Sequence, residues 1–312
     1  MTIEDTPWHS GEAQIHKALE LTDKMEKLGK RMIRDYMPDQ HREFYAELEF
    51  VILSALDPTG RVWPFVWAGK ADFISSPDPK HLIIKKGSLP GQPDDLLLRV
   101  GDKISLLGIV PETKRRNRLN ATITKADKTL IKVRVDQSYG NCPRYIHVRE
   151  KGKTTQAGAV EDRETLNEED KALITAADTL FIASRAPKVE RDPRKGIDVN
   201  HRGGLPGFIK LVDENVFIIP DYDGNNFFNT FGNILNDPRV GLLIPNLETG
   251  DMLTLNGQAE VVLEDQAGIE LYGSHRYLIF TADKIRRANR AFPFIHAVTE
   301  YSENPPHPPK LS

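Results

Sequence analysis

One cysteine, Cys142, is all that the 312-residue sequence carries. That excludes an intramolecular disulfide framework and any four-cysteine zinc or iron-sulfur site, and it fits a reducing cytoplasm. Long apolar runs are also missing: none approaches the roughly 20 residues needed to span a bilayer, and residues 1–11 are polar. Neither membrane insertion nor secretion is expected. Nor is there a basic excess, since 42 Lys and Arg against 45 Asp and Glu leave a formal net charge of -3. A phosphate-backbone partner such as nucleic acid is therefore not expected. The sequence has no Walker-type loop and no strand-associated G-x-G-x-x-G, and its nine histidines form no pair at metal-ligand spacing on a recognisable element. Nucleoside triphosphates, Rossmann cofactors and metals have no support.

What is present suits a globular protein: 39% hydrophobic and 28% charged residues, at a length that fits two domains or one duplicated domain. Ile15, Leu19, Met25, Leu28, Met32 and Ile33 fall on one face of a long leading helix from about Glu12 to Tyr36, stopped by Pro38. Beyond Glu43 the pattern changes to short β-branched runs such as Phe50-Val-Ile-Leu-Ser54 and Leu130-Ile-Lys-Val-Arg-Val135, which read as strands.

Comparing the chain with itself reveals a duplication. Leu106-Leu107, Glu112-Thr113 and Leu119-Asn120 recur as Leu242-Leu243, Glu248-Thr249 and Leu255-Asn256, displaced by 136 (242 − 106). Phe73-Ile74, Asp78 and Ile83-Ile84 recur as Phe208-Ile209, Asp213 and Ile218-Ile219, displaced by 135 (208 − 73). Ser54 matches Ser184 at an offset of 130, so the second copy is expected to gain about five residues in its first hairpin, within 188–196. The organisation read from this is an N-terminal helical segment (1–42), a first repeat (43–148), a linker with a short helix capped by Asn167 (149–177), and a second repeat with a C-terminal helix and proline-rich tail (178–312). The repeat itself is legible to about residue 265. Five or six strands per copy with short connections suit a small barrel better than a parallel α/β sheet.

The second copy carries the chemistry. His201-Arg-Gly-Gly-Leu-Pro-Gly-Phe-Ile209 offers glycines at 203, 204 and 207 that let a backbone approach a flat ligand. Asp221-Tyr-Asp-Gly-Asn-Asn226 is a turn rich in amide donors, and the helical pattern from Phe227 to Leu235 puts it at a helix N-terminus, where a phosphate is accepted. With Phe228-Asn-Thr-Phe-Gly-Asn-Ile234, Asn236-Asp-Pro-Arg239, Glu248-Thr-Gly-Asp251, Arg115-Arg-Asn-Arg-Leu-Asn120 and Ser138-Tyr-Gly-Asn-Cys-Pro-Arg-Tyr-Ile146, the chain over about 40–265 resembles the pyridoxamine 5'-phosphate oxidase-related FMN-binding split barrels, in particular their longer, duplicated members. The resemblance implies a mainly β fold with flanking helices, two tandem split β-barrel repeats, and FMN in a cleft where barrels meet. Carried over by position, it implies Arg202, Asn225, Asn226, Asn229 and Thr230 near the ribityl chain and phosphate, and Pro206, Gly207 and Phe208 along the ring.

In the first copy the corresponding turn is Lys86-Gly-Ser-Leu-Pro-Gly-Gln-Pro93, where prolines replace amides, so that half is expected to have lost its flavin site. The Arg115–Arg118 cluster has no counterpart in the second copy, and Arg116 or Arg118 is a candidate to cross the interface to a phosphate or an anionic substrate. Cys142 reads as structural, since no base stands at suggestive spacing. The function expected is an FMN-dependent oxidoreductase with a small-molecule substrate or electron donor, cytoplasmic and homodimeric, with catalytic residues unassigned. Pyridoxamine phosphate oxidation itself is not the expectation: the resemblance implies a C-terminal Arg-Leu-(Ala or Asn)-Pro type sequence for that activity, whereas this one ends Pro-Pro-Lys-Leu-Ser312. The alternatives are a non-catalytic flavin carrier or sensor, and a split barrel that binds haem or deazaflavin.

Overall fold

The computed structural model describes residues 6–70, 72–86, 92–93, 96–187, 192–263 and 274–303. The leading segment is not one helix but two, α1 (Ser10–Ala18) and α2 (Thr22–Met32). Glu20 takes φ +56° between them, a left-handed turn marked by neither Gly nor Pro. The start of α1 is closed by a capping box: the His9 ring accepts the backbone N–H of Gly11, and the Glu12 carboxylate accepts that of His9 at 2.9 Å. After Pro38 comes α3 (Asp39–Ala46).

The first repeat is a seven-stranded antiparallel sheet: β1 (Phe50–Leu56), β2 (Val62–Ala68), β3 (Ile74–Asp78), β4 (His81–Lys85), β5 (Lys103–Val110), β6 (Arg115–Ala126) and β7 (Leu130–Gly140). Its spatial order is β2-β1-β5-β6-β7-β4-β3. Next come β8 (Val148–Thr154), β9 (Val160–Arg163) and α4 (Glu168–Ala176). The second repeat is β10 (Thr179–Arg185), β11 (Ile197–Gly203), β12 (Lys210–Asp213), β13 (Val216–Pro220), α5 (Asn229–Asn236), β14 (Arg239–Pro245), β15 (Met252–Val262) and β16 (Tyr277–Ala288), followed by β17 (Phe294–Glu300). Its order, β11-β10-β14-β15-β16-β13-β12, reproduces the first strand for strand. All seven strands of the first sheet feed one apolar core, and the second sheet has its own, so the chain is mainly β with two tandem barrels and flanking helices.

The register refines the duplication. Leu53 pairs with Leu106 and Ile182 with Leu242, so with the latter two 136 apart the first-strand offset is 129 (182 − 53). The apparent match of Ser54 with Ser184 is therefore one residue out, and a one-residue slip would turn a strand's core face outward. Leu53 pairs with Phe65 and Ile182 with Asn200, 135 apart, which makes the second hairpin longer by six residues (135 − 129). Residues 188–191 of that insertion, 87–91 of the proline-containing turn, and the tail from 304 lie outside the described residues.

Two expectations need correcting. The stretch 149–166, read as a linker, supplies β8, which pairs with β17, and β9, which pairs with β16. These pairings are long-range, so no local periodicity announces them. The second repeat, legible by its similarity only to about 265, runs on through β16, which is needed to complete its sheet. Among the described residues the C-terminal part forms strands β16 and β17 rather than a helix.

The two sheets pack face to face. In β1, Val51, Leu53 and Ala55 point into the first core, while Phe50 and Ile52 join Phe181, Val199 and Leu243 in a cluster between the repeats. Both faces are buried, which explains why β1 and β10 are apolar at most positions rather than alternating. The contact is close: a Cβ at Gly241 would lie 2.2 Å from the Val62 carbonyl. The recurring asparagines bridge it, Asn120 Nδ2 donating to Asp198 Oδ1 at 2.7 Å and Asn256 Nδ2 to the Val62 carbonyl at 2.7 Å. Among the described residues no helix is long and apolar enough to cross a membrane.

Candidate functional site

A cleft opens where the repeats meet, walled by Arg116, Asn141 and Tyr145 of the first and by residues 200–203, 220–222, 224–226 and 228–230 of the second. Both walls belong to one chain. Its floor is the β13-to-α5 connection, whose shape departs from an ordinary helix start. Asn226 (φ +59°) and Phe228 (φ +56°) are both left-handed, and Phe227 N–H is held by Asn225 Oδ1 at 3.1 Å. The first helical bond of α5 runs from Gly232 N–H to Phe228, so the amides of Asn229, Thr230 and Phe231 have no acceptor within the helix.

Arg116 enters from the end of β6. Its Nη1 donates to His201 Nδ1 at 2.9 Å, it pairs with no carboxylate among the described residues, and its buried Nε has no hydrogen-bond partner there. Burial lowers its pKa to about 10, which leaves it cationic at neutral pH. Burial, reinforced by Arg116, holds His201 well below its ordinary value, so the imidazole is neutral and free to accept. The other cations are already engaged. Arg202 Nη1 donates to Asp221 Oδ1 at 2.5 Å, and Arg276 Nε to Asp221 Oδ2 at 3.1 Å, which cancels the one carboxylate in the wall.

The segment after β7 closes one side. Tyr145, left-handed at φ +64°, and Arg144 both donate to the Asp223 carbonyl, at 2.9 and 3.2 Å. Asn225 Nδ2 reaches Asn141 Oδ1 at 3.4 Å. Gly203 is required here, because a Cβ would stand 2.1 Å from the Tyr145 carbonyl.

Of the residues singled out from sequence, Arg116, Arg202, Asn225, Asn226, Asn229 and Thr230 converge on this cleft. The others do not line it. Arg118 is wholly buried behind the wall, paired to Asp198 and donating to Asn200 Oδ1 at 2.5 Å and Asn229 Oδ1 at 3.2 Å. It supports the lining residues rather than facing a ligand. Phe208 fills the core of the second barrel, Pro206 is exposed, and Gly207 at φ +88° makes a turn. Sequence reasoning missed Asn200, Asp221 and Tyr145, and behind them Glu12 and Asp198. Asp198 carried a signal, a charge between two β-branched residues in Ile197-Asp-Val199.

The enclosed part of the cleft holds about 90 Å³, less than the 300–1,000 Å³ of a pocket that engulfs a whole ligand. Two larger grooves, of about 420 and 430 Å³, lack this combination of an unpaired arginine and an amide-rich turn.

No protein-family model matches the chain, and no curated protein matches its sequence. Solved structures resemble parts of it. A putative pyridoxamine 5'-phosphate oxidase from Lactobacillus delbrueckii is 13% identical, covering 39% of this chain and 98% of its own, with a TM-score of 0.30. HupZ of Group A Streptococcus is 15% identical over 45% of this chain and 99% of its own, TM-score 0.29. An F420 reductase is 13% identical over 38% and 95%, TM-score 0.27.

Proposed function

We propose that this chain is a flavoprotein that holds one FMN in the cleft between its repeats and acts as an oxidoreductase on a small molecule. The observation that carries the reading is Arg116: a cation that, among the described residues, has no carboxylate partner and a buried Nε left unsatisfied, contributed by one repeat beside the amide-rich turn of the other. An unpaired buried donor is costly, and a phosphate oxygen would satisfy it.

In this reading Arg116, the side chains of Asn225 and Asn226, and the first amides of α5 bind the phosphate. Thr230 Oγ1 accepts the Asn200 side-chain N–H at 2.8 Å, which holds it in the cleft wall. Arg202 and Arg276 neutralise Asp221, so the wall does not repel an anion. When bound, the isoalloxazine supplies the hydride-accepting centre, and the protein supplies orientation and electrostatics. The single cysteine and the net charge of -3 fit a cytoplasmic protein that does not bind nucleic acid.

A second reading, a flavin carrier without turnover, is favoured by one observation: the titratable groups of the lining are tied up, His201 with Arg116 and Asp221 with two arginines. Anaerobic reduction of the FMN-loaded protein by NADH or NADPH, followed by oxygen, separates the two. Reduction and reoxidation support the enzyme, a flavin that never cycles supports the carrier, and failure to take up FMN overturns both.

A further inference from the structure

The N-terminal helix α1 belongs to neither repeat, yet it is pressed against the helix that floors the cleft. A Cβ at Gly11 would lie 1.9 Å from the Gly232 carbonyl, and one at Gly232 would lie 2.5 Å from the Glu12 nitrogen. Two glycines therefore let the backbones of α1 and α5 touch. Across this contact Glu12, only 3% exposed, accepts the side-chain N–H of Asn229 on Oε1 and the His9 backbone N–H on Oε2. The Asn229 Oδ1 in turn accepts Arg118 Nη1 and Tyr139 Oη, each at 3.2 Å. These three partners, two donors to its oxygen and one acceptor of its N–H, fix which way the amide of Asn229, a residue of the cleft wall, is turned.

Resting on the proposed function, we propose that Glu12 is a positioning residue of the cofactor site, and that occupation of the cleft by a phosphomonoester is tied to a proton taken up at its carboxyl. The groups facing it leave little net charge. His9 on its own helix is held to about 4 by burial and is neutral, Tyr139 on β7 is pushed above its ordinary value by burial, Arg118 on β6 is matched by Asp198 on β11, and Arg194 is matched by Asp192. Burial accordingly raises Glu12 to about 7. A phosphate arriving on the far side of Asn229 adds negative charge in a poorly screened place and raises it further. By linkage, the anion binds more tightly where Glu12 is protonated, and its affinity falls as pH rises through this window.

The test measures FMN affinity by flavin fluorescence between pH 6.5 and 8.5, above the phosphate's own second ionisation near about 6. In the full-length protein affinity should fall on the order of tenfold across the window, the consequence of a one-unit rise in the carboxyl's pKa. Glu12→Gln should flatten the profile, and riboflavin, which lacks the phosphate, should give a flat profile with the unaltered chain. Calorimetry of the unaltered chain in two buffers of different ionisation enthalpy should record proton uptake near pH 7.5, whether or not the variant folds. Equal profiles for the two proteins, or no proton uptake, would overturn the assignment of Glu12 while leaving FMN binding intact. A chain that takes up no FMN at any pH overturns the reading on which it rests.

Discussion

Glu150 and Ala297 face each other across the β8–β17 ribbon, at a separation in sequence that equals the offset between the equivalent strands β7 and β16. Arg118 pairs with Tyr139 and Thr254 with Arg286, so with Arg118 and Thr254 136 apart, the strand after the hairpin is displaced by 147 (286 − 139). Glu150 and Ala297 are separated by the same 147. An antiparallel ribbon formed by the segments that follow the two sheets, together with two sheets of the same strand order packed face to face, is the arrangement of a two-fold dimer fused into one chain.

The fusion makes the cleft a property of one chain. FMN retention should not depend on dimer formation: a species of 35.2 kDa by light scattering should keep its flavin on dilution. Loss of flavin in step with dissociation of a dimer would show that a second chain completes the site.

The cleft should be one-sided. Arg116→Ala should weaken FMN binding by about 1.5–3 kcal/mol, the value of a hydrogen bond to a charged group, with little change in melting temperature. Met252 stands at the equivalent position, 136 residues on, and Met252→Ala should leave FMN affinity unchanged. Equal losses in a fluorescence titration would mean that both halves bind flavin.

Arg118, two residues from Arg116 and wholly buried against Asp198, should behave oppositely. Arg118→Ala leaves a buried carboxylate without its cation, a loss of about 3–5 kcal/mol in denaturant unfolding. A variant as stable as the parent would contradict the support role given to this arginine.

Stability should rise with pH between about 4 and 7. Burial lowers His9, His41 and His296 to about 4, so the unfolded chain binds more protons between about 4 and 6.5; their stabilisation is complete above that range and is lost as pH falls through it. Glu12 has the opposite sign. Raised to about 7, it contributes fully below the ordinary carboxyl range and loses that contribution as pH rises through 7. Thermal melts from pH 4 to 8 should show a net rise that levels off near 7, three histidines outweighing one carboxyl, and Glu12→Gln should steepen the rise by removing the opposing contribution between 4.5 and 7. An unchanged profile in the variant would mean that Glu12 is not buried as described.

Strand content and duplication were legible because they depend on local pattern and on register between similar segments. The helix start at Asn167 was legible too: its side chain accepts the Asp170 N–H at 2.9 Å, a contact between neighbours in sequence. What escaped depends on distant parts of the chain. No local feature of 149–154 discloses that β8 pairs with residues nearly 150 positions away, nor does Glu20 advertise a left-handed turn. In the site, the amide-rich turn and Arg116 could be named from residue type and position. The contact of Glu12 with Asn229 spans 217 residues and is invisible without the fold. Phe208 was misplaced because a glycine-rich neighbourhood does not reveal which side chain turns inward.

The most direct measurement is the ratio of FMN to protein after the apo chain is reconstituted and freed of excess flavin, read from the flavin spectrum and from the phosphate content released on denaturation. The account requires one FMN per chain, carried by the monomer and lost or much weakened in Arg116→Ala. A colourless protein, a ratio of two, or a ratio of one that survives the loss of Arg116 with affinity unchanged would contradict it.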